Sequence, residues 1–219
     1  MKYIDVVIPT RNRISKLERL LKTIPGHTLL KEPIYTIVLC DGDKESYEHF
    51  KDKVDLCYYF EGHNGSVYCR NQYIKFSKGG IIYAVDDMEF KPGAIEQASY
   101  SMLNHFPDED GVIGFTQEGQ NKFNPAGVGL VGKKFIDRYP QRILFNPNYF
   151  LFAAQEIHWA AERLNKFYLE PNAILYHHHP AFDKLEMDKT HQDGRIHSKE
   201  DHTLIADRKA KGLIWGING

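Results

Sequence analysis

Residues 3–13 read YIDVVIPTRNR, a β-branched apolar run that ends at a proline and continues into a polar turn. A short continuous apolar run bounded by a turn is typical of a buried strand in a parallel sheet. Apolar residues next recur at helical spacing, at Ile14, Leu17, Leu20, Leu21 and Ile24. The stretch therefore predicts a strand followed by a helix, with Ser15 as the N-cap and Pro25-Gly26 as the stop.

The same alternation of strand and helix continues along the chain. Apolar runs predict further strands at residues 35–40, 56–60, 81–85, 112–115 and 173–176. Helical patterns fall between them, at residues 46–51, 67–77, 94–105 and 155–167. Such alternation predicts an α/β fold with a mainly parallel, Rossmann-like sheet flanked by helices and joined by right-handed crossovers. The charged stretch beyond Pro180 is predicted to be a polar C-terminal flap.

Composition excludes several classes of protein. Of 219 residues, 42% are hydrophobic and 26% are charged, which are ordinary globular values that exclude a disordered, collagenous or coiled-coil chain. The formal net charge of −1 gives no basic field for DNA or an anionic membrane. No apolar run approaches the ~18 residues of a membrane span. Three widely spaced cysteines argue against structural disulfides, so we expect a cytoplasmic protein without a membrane span.

Polar residues follow three of the predicted strands, at residues 10–13, 41–43 and 86–89. In open parallel sheets, ligands bind outside the carboxyl ends of the strands. The adjacent carboxylates of Asp86 and Asp87 repel each other unless a cation compensates them. Paired oxygen ligands suit Mg²⁺ or Mn²⁺, which commonly link protein carboxylates to phosphates. These features together predict a site for a phosphorylated ligand at one edge of the sheet.

Taken in order, the motifs resemble those of family 2 glycosyltransferases of the GT-A fold. The matching segments are VVIPTRNR (6–13), IVLCDGD (37–43), HNG (63–65), RN (70–71), GG (79–80) and VDDMEF (85–90). The resemblance is good over residues 3–92 and moderate over residues 150–180. It implies a GT-A-like fold and a hexosyltransferase-type enzyme. Such an enzyme moves a sugar, with inversion, from a nucleotide diphosphate-sugar, in particular a UDP-sugar, to an acceptor hydroxyl.

The resemblance also implies roles for individual residues. The nucleotide would be bound by Pro9, Thr10, Arg11, Arg13, Asp41, Asn64, Arg70 and Asp86. The metal, Mn²⁺ or Mg²⁺, would be bound by Asp87 together with His177 and His179. The usual Asp-x-Asp motif would place an aspartate at Val85 or Met88, so the role of Glu89 is open.

The histidine run at residues 177–179 also has other interpretations. Neighbouring residues of a strand point to opposite faces, so His177 and His179 are predicted to share one face and His178 to take the other. An inert polar strand end and a separate zinc site are the alternatives, although no cysteine or acid accompanies the run at zinc-site spacing.

Inverting transfer needs a carboxylate that takes the proton of the acceptor hydroxyl. The family places an acid at the start of a helix, where this chain has Gln155-Glu156, and Glu156 is the predicted base. The competing interpretation is an acid that the positive end of the helix dipole stabilises.

The resemblance divides the chain into a catalytic domain and a tail. We expect a nucleotide-binding half at residues 1–92 and an acceptor half at 93–180. A C-terminal lid or appendage follows at 181–219.

Two other functions are possible for the same fold. One is a non-catalytic module that binds a nucleotide-sugar or a glycan. The other is a nucleotidyltransferase, which the lack of glycine in residues 10–13 disfavours. A glycan, a small metabolite, a protein or a modified DNA base is a possible acceptor, and the neutral net charge does not support DNA.

Overall fold

One mixed sheet organises the part of the chain that this computed structural model describes, which is residues 1–24, 32–118, 127–178 and 187–219. The strands of the sheet are β1 (Ile4–Thr10), β2 (Ile34–Asp41), β3 (Leu56–Phe60), β4 (Gly80–Tyr83), β5 (Met88–Phe90), β6 (Val112–Gln117), β7 (Gly129–Val131) and β8 (Phe167–His177). Their order across the sheet is β3-β2-β1-β4-β7-β6-β8-β5.

Helices connect the strands and pack against the sheet. They are α1 (Ile14–Leu21), α2 (Lys44–Phe50), α3 (Ser66–Ile74), α4 (Ala94–His105), α5 (Lys133–Asp137), α6 (Ala154–Arg163) and α7 (Lys189–Ala210), with a 3₁₀ turn at Pro140–Arg142. The helix predicted over residues 94–105 is confirmed at both ends.

The prediction of an α/β fold is confirmed. The first four strands, which helices separate along the chain, pair in parallel. Strand β1 is parallel to β2 and β4, β2 is parallel to β3, and β6 is parallel to β8. Strand β7 runs antiparallel to β4 and β6, and β5 runs antiparallel to β8. Such mixed sheets are common among large α/β folds.

The long strand β8 changes partners along its length. It starts beside β6, and the register shifts between Phe115 and Thr116 of that strand. Its last three residues pair with β5, where His177 lies opposite Met88. Because β5 follows Asp86 and Asp87 directly, this curl of the sheet brings His177 next to the acidic pair.

Strand β1 is buried on both faces, which explains its continuous apolar sequence. Ile4, Val6 and Ile8 pack into a core cluster that includes residues of α1 and α4. Val7 packs into the opposite cluster with residues of α3 and α6. Strands covered on both faces have no polar side to alternate with the apolar one.

Several predicted boundaries are wrong. Helix α1 begins at Ile14 with Arg13 as its N-cap, so Ser15 lies inside the first turn. The predicted stop at residues 25–26 lies outside the described residues, and α1 ends earlier, at Leu21.

Other elements are shorter than their apolar patterns. Strand β4 ends at Tyr83, where its pairing with β1 and β7 also ends. Helix α3 ends at Ile74. Helix α6 ends at Arg163, because Phe167 begins β8 instead of closing the helix.

The C-terminal stretch from residue 187 packs onto the rest of the chain. Asp201 of α7 is buried and accepts hydrogen bonds from the backbone N–H groups of residues 150–152. Arg208 of α7 is buried against Glu156. The polar sequence predicted a flap, yet these polar side chains anchor a 22-residue helix. A movable lid and the domain boundaries at 92 and 180 stay predictions.

Cys40, Cys57 and Cys69 are free thiols. In the described ranges, no helix combines the length and the apolar character that crossing a lipid bilayer requires.

Candidate active site

Three neighbouring strands end at one edge of the sheet, and polar residues meet there. Thr10 closes β1, Asp41 closes β2, and Asp86 follows β4. The Thr10 hydroxyl donates to Asp86 Oδ2 at 2.8 Å, and both side chains are buried. The structure thus brings together two of the residues predicted to bind the nucleotide.

Arg13 supplies positive charge to this edge. Its Nη1 lies 2.8 Å from Asp86 Oδ1 and 3.3 Å from Asp87 Oδ2. Burial acts to lower the pKa of Arg13, but the charges of Asp86 and Asp87 outweigh it and raise the pKa. Adjacent buried carboxylates need a compensating cation, and in this arrangement Arg13 is that cation.

Asp87 is contacted by histidines from two distant parts of the chain. His177 Nε2 lies 3.1 Å from its Oδ1, and His191 Nε2 lies 3.6 Å from its Oδ2. Burial acts to raise the pKa of Asp87, but the hydrogen bond with His177 and the charges of His177 and Arg13 outweigh it and hold the pKa at about 2. Asp87 is therefore a buried carboxylate that stays ionised.

Asp86 shifts in the opposite direction. Burial raises the pKa of Asp86, and the charge of Asp87 adds to that rise against the opposing effect of Arg13. The two adjacent acids therefore differ in the direction of their pKa shifts, although both accept a hydrogen bond from Arg13.

The groups around Asp87 are of the kind that bind a borderline divalent cation, because carboxylate and imidazole ligands both suit Mn²⁺. Within the described ranges, however, no group of three or more His, Cys, Asp or Glu side chains is arranged to hold a metal. Arg13 lies against Asp87, so a metal at this carboxylate requires Arg13 to move. The predicted ligand His179 lies outside the described residues.

Asp41 organises the loop that precedes α3. Its Oδ1 accepts from the Asn64 backbone N–H at 2.7 Å and from Asn64 Nδ2 at 3.2 Å, and its Oδ2 accepts from the Gly65 N–H at 2.9 Å. Arg11 Nη1 donates to the Asp41 carbonyl at 2.7 Å. Three predicted nucleotide-binding residues, Arg11, Asp41 and Asn64, are thus direct neighbours.

Arg70 is a buried cation whose hydrogen-bond partners are neutral. Its Nη2 donates to the Ala84 carbonyl at 2.7 Å, its Nη1 donates to the Ser66 hydroxyl at 3.4 Å, and its Nε has no partner. Burial lowers the pKa of Arg70 to about 10. No carboxylate in the described part of the chain forms an ion pair with it. A buried guanidinium whose partners are all neutral is a group with which an anionic ligand would form an ion pair.

Pro9 lies in β1 one residue before Thr10, opposite Leu39 of β2. The pairing of β1 with β4 stops earlier, at Val7. Proline has no backbone N–H, so it is tolerated in β1 beyond the pairing with β4. Pro9 therefore fits its predicted place at the edge of the site.

Glu89, whose role the sequence leaves open, contacts a histidine and an arginine. Its carboxylate lies 2.6 Å from His178 Nε2 and 3.1 Å from Arg19 Nε. His177 contacts Asp87 instead, so the two adjacent histidines have different acidic partners. Glu89 therefore has partners of its own, distinct from those of Asp87.

Glu156 lies in a buried hydrogen-bond network of its own. Its Oε1 accepts from Arg208 Nε at 2.6 Å, from the Tyr149 hydroxyl at 2.6 Å and from Asn146 Nδ2 at 3.1 Å. Its Oε2 accepts from Arg208 Nη2 at 2.9 Å and from the Trp215 N–H at 2.6 Å.

This network bears on the predicted role of Glu156 as the base. The residue is 2% exposed. Burial acts to raise the pKa of Glu156, but these hydrogen bonds outweigh it and lower the pKa. A general base needs access to its proton donor and a pKa near the working pH. In this arrangement the carboxylate is an anchor for the C-terminal segment, which is at odds with the predicted base.

Sequence reasoning missed two residues of the cluster, His191 and Asp188. Asp188 Oδ2 lies 2.9 Å from Arg13 Nε. As the N-cap of α7 it leaves a recognisable signal, because its side chain accepts from the His191 N–H. Its pairing with Arg13, 175 residues away, leaves none.

Comparison with solved structures gives the fold its class. The chain is similar to S. aureus TarS 1-349, with a TM-score of 0.64 and 14% identity over 81% of this chain and 61% of that chain. It is similar to the mannosyltransferase PcManGT from Pyrobaculum calidifontis in complex with GDP-Man and Mn²⁺, with a TM-score of 0.65 and 11% identity over 82% and 58% of the two chains. TarS 1-349 in complex with UDP-GlcNAc gives 0.62 and 16% over 80% and 58%.

These structures are glycosyltransferases of the GT-A type, so the predicted resemblance is confirmed at the level of the fold. No family model and no curated protein matches the sequence. The chain spans less than two thirds of the length of the three matched structures. At this level of identity the likeness defines the fold, and the activity has to be argued from the site.

Proposed function

We propose that this chain is a glycosyltransferase that binds a nucleotide diphosphate-sugar at the carboxyl ends of β1, β2 and β4. The observation that carries the proposal is the buried cluster of Thr10, Arg13, Asp86 and Asp87, with His177 beside it, at that edge of a GT-A sheet. This is the edge where open α/β sheets bind their ligands. Solved structures of the same fold hold UDP-GlcNAc or GDP-Man, which supports a nucleotide-sugar as the ligand.

The donor in this proposal is a UDP-sugar. Its nucleoside lies beside Asp41, Asn64 and Arg11, which are already in contact with one another. The buried guanidinium of Arg70, which has neutral partners in the described contacts, is a further cation that the anionic donor would contact. Two structures of TarS 1-349, one with UDP and one with UDP-GlcNAc, have the same fold and support uridine.

The proposal also includes a divalent cation at this site. Asp87 and His177 are the residues that would hold it, and the Mn²⁺ in the PcManGT complex supports a metal in this fold. Such a cation supplies charge neutralisation to a departing diphosphate. Binding of Mn²⁺ followed by electron paramagnetic resonance, in wild type and in Asp87→Asn, tests the ligand set without reference to activity.

Transfer with inversion stays a prediction, and so does Glu156 as the base. For Glu156 to take a proton from an acceptor hydroxyl, Arg208 and the backbone of Trp215 have to leave its carboxylate. The same observation favours a second function, a module that binds a nucleotide-sugar without transferring the sugar. Only a measurement of turnover separates the two functions.

The decisive assay measures nucleoside diphosphate released from UDP-glucose, UDP-GlcNAc and GDP-mannose, with Mn²⁺ and a panel of hydroxyl acceptors. Transfer predicts release by wild type, loss of release in Asp87→Asn, and unchanged release in Asp207→Asn. Asp207 is a matched control because it lies on the exposed part of α7 and pairs with Lys211. Binding of the donor without release would establish the second function, and neither binding nor release would overturn the proposal.

A further inference from the structure

The Arg13 side chain lies between two sets of carboxylates that come from distant parts of the chain. Its Nη1 faces Asp86 and Asp87 at 2.8 and 3.3 Å. Its Nε and Nη2 face Asp188, with Nε at 2.9 Å from Oδ2 and Nη2 at 3.1 Å from Oδ1. Arg13 therefore joins the strand ends to the first turn of α7.

A second cation converges on the same carboxylate. Lys16 follows Arg13 by one helical turn, and its Nζ lies 2.6 Å from Asp188 Oδ2. The His191 backbone N–H, at the start of α7, donates to Asp188 Oδ1 at 2.9 Å. Asp188 thus lies in a site made of a guanidinium, an ammonium and a helix N-terminus, which is the combination that holds phosphate groups in proteins.

This site adjoins the proposed donor site. The Thr190 hydroxyl donates to the Arg11 carbonyl at 2.7 Å, and His191 Nε2 lies 3.6 Å from Asp87 Oδ2. The first turn of α7 therefore covers the turn that follows β1 and the acid that follows β4.

The charges at the edge explain why an anion site is needed there. Asp41, Asp86 and Asp87 are all buried at the strand ends. A diphosphate that approached these carboxylates alone would be repelled. Arg13 and Lys16 are the cations beside these carboxylates. Asp188 pairs with both of them, and Arg13 also pairs with Asp86 and Asp87 through Nη1.

We propose that Arg13 and Lys16 form the site for the diphosphate of the donor, and that Asp188 occupies this site as an internal substitute until the donor displaces it. The inference rests on the proposed function and adds to it a binding residue, Lys16, and a competing residue, Asp188. Donor binding then releases the first turn of α7 from Arg13. In this arrangement the N-terminus of α7 is held at Arg13 and Lys16 through Asp188.

The test compares Asp188→Asn with Lys16→Met and with the control Asp207→Asn. Asparagine is as good an N-cap as aspartate, so Asp188→Asn removes the charge while preserving the start of α7. Lys16 is partly exposed on α1, so its replacement by methionine preserves the helix. Calorimetric titration with UDP and, separately, with inorganic pyrophosphate measures the dissociation constants, and hydrogen exchange measures the opening of α7.

We expect Asp188→Asn to bind UDP and pyrophosphate at least about fivefold more tightly, since a partly exposed ion pair no longer competes. We expect Lys16→Met to bind both more weakly by a similar factor, and Asp207→Asn to match wild type. UDP should also speed exchange in the first turn of α7 in wild type.

The outcomes separate this inference from the proposed function. If UDP binds wild type, Lys16→Met and Asp188→Asn equally well, the anion site is wrong and the donor site stands. If pyrophosphate follows the expected pattern while UDP binds none of the proteins, the anion site stands and the nucleotide-sugar proposal falls. If neither ligand binds any variant, both are overturned. Weaker UDP binding by Asp188→Asn would make Asp188 a positioning residue and would contradict its role as a competitor.

Discussion

Glu156 and Arg208 form a buried, two-point ion pair between the start of α6 and the end of α7. Arg208 Nε lies 2.6 Å from Oε1, and Nη2 lies 2.9 Å from Oε2. The Trp215 N–H donates to Oε2 at 2.6 Å and extends the contact to the last residues of the chain. Because two-point pairing fixes both position and orientation, this contact fastens the C-terminal segment to α6.

The first prediction concerns the stability that this pair provides. Removing one partner of a buried ion pair leaves the other charge uncompensated, which typically costs about 3–5 kcal/mol. We expect Glu156→Gln and Arg208→Met each to lower the free energy of unfolding by about 3 kcal/mol. Urea denaturation measures the change, and Arg163→Met is the matched control because Arg163 is exposed on the same helix as Glu156.

The same variants test the predicted base. If Glu156 is the base, Glu156→Gln abolishes sugar transfer while the free energy of unfolding stays at the wild-type value. That result would contradict the anchoring role that the hydrogen bonds of Glu156 indicate.

The second prediction is a pH dependence of stability that comes from Glu156. Burial acts to raise the pKa of Glu156, but the bonds with Arg208 and Tyr149 outweigh it and leave the pKa lowered in the folded protein. An acid with a lowered folded pKa contributes stability above its unfolded pKa of about 4.3, and this contribution is lost as pH falls through the folded pKa. Urea denaturation from about pH 6 to about pH 3 should therefore show a shallower loss in Glu156→Gln than in wild type. If the free energy of unfolding falls with pH in the same way in both proteins, the lowered pKa of Glu156 would be contradicted.

The third prediction concerns Gly65, which adopts φ of +87° just before α3. A Cβ at this position would lie 2.6 Å from the Phe150 carbonyl oxygen. Gly93 adopts φ of +81° and has open space around it, so Gly93→Ala carries the backbone cost alone. We expect Gly65→Ala to lose about 2 kcal/mol more than Gly93→Ala in urea denaturation, because a steric clash adds to the same backbone strain. Equal losses would mean that the loop moves away from Phe150 at no cost.

The fourth prediction concerns Arg70. A buried cation with neutral partners is unfavourable for folding, so Arg70→Met should unfold at the same or a higher urea concentration than wild type. If an anionic group of the donor pairs with Arg70, the same variant should bind UDP at least about tenfold more weakly. Arg163→Met, on the surface, should change neither quantity. Unchanged UDP affinity in Arg70→Met would remove Arg70 from the site.

The sequence predicts those parts of the site that depend on local pattern. The run before Pro9 defines β1, and the polar residues after each strand fall at one edge because parallel strands point the same way.

Other parts depend on contacts between distant residues and leave no local signal. Asp188 is hydrogen-bonded to Arg13, which lies 175 positions away in the sequence, and Glu156 is hydrogen-bonded to Arg208, which lies 52 positions away. The polar composition of α7 predicted a flap, because sequence gives no sign of which charged residues will be paired and buried. Residues such as Asp201 and Arg208 become anchors only once the sheet and α6 are in place.

The central claim is that the cluster around Asp87 binds a nucleoside diphosphate. Isothermal titration of UDP and of GDP in the presence of Mn²⁺, into wild type and Asp87→Asn, tests it most directly. Thermal unfolding confirms that the variant is folded. We predict one saturable site in wild type for one of the two nucleotides, with affinity at least about tenfold weaker in Asp87→Asn. Equal affinity in both proteins, or no binding of either nucleotide to wild type, would contradict the claim.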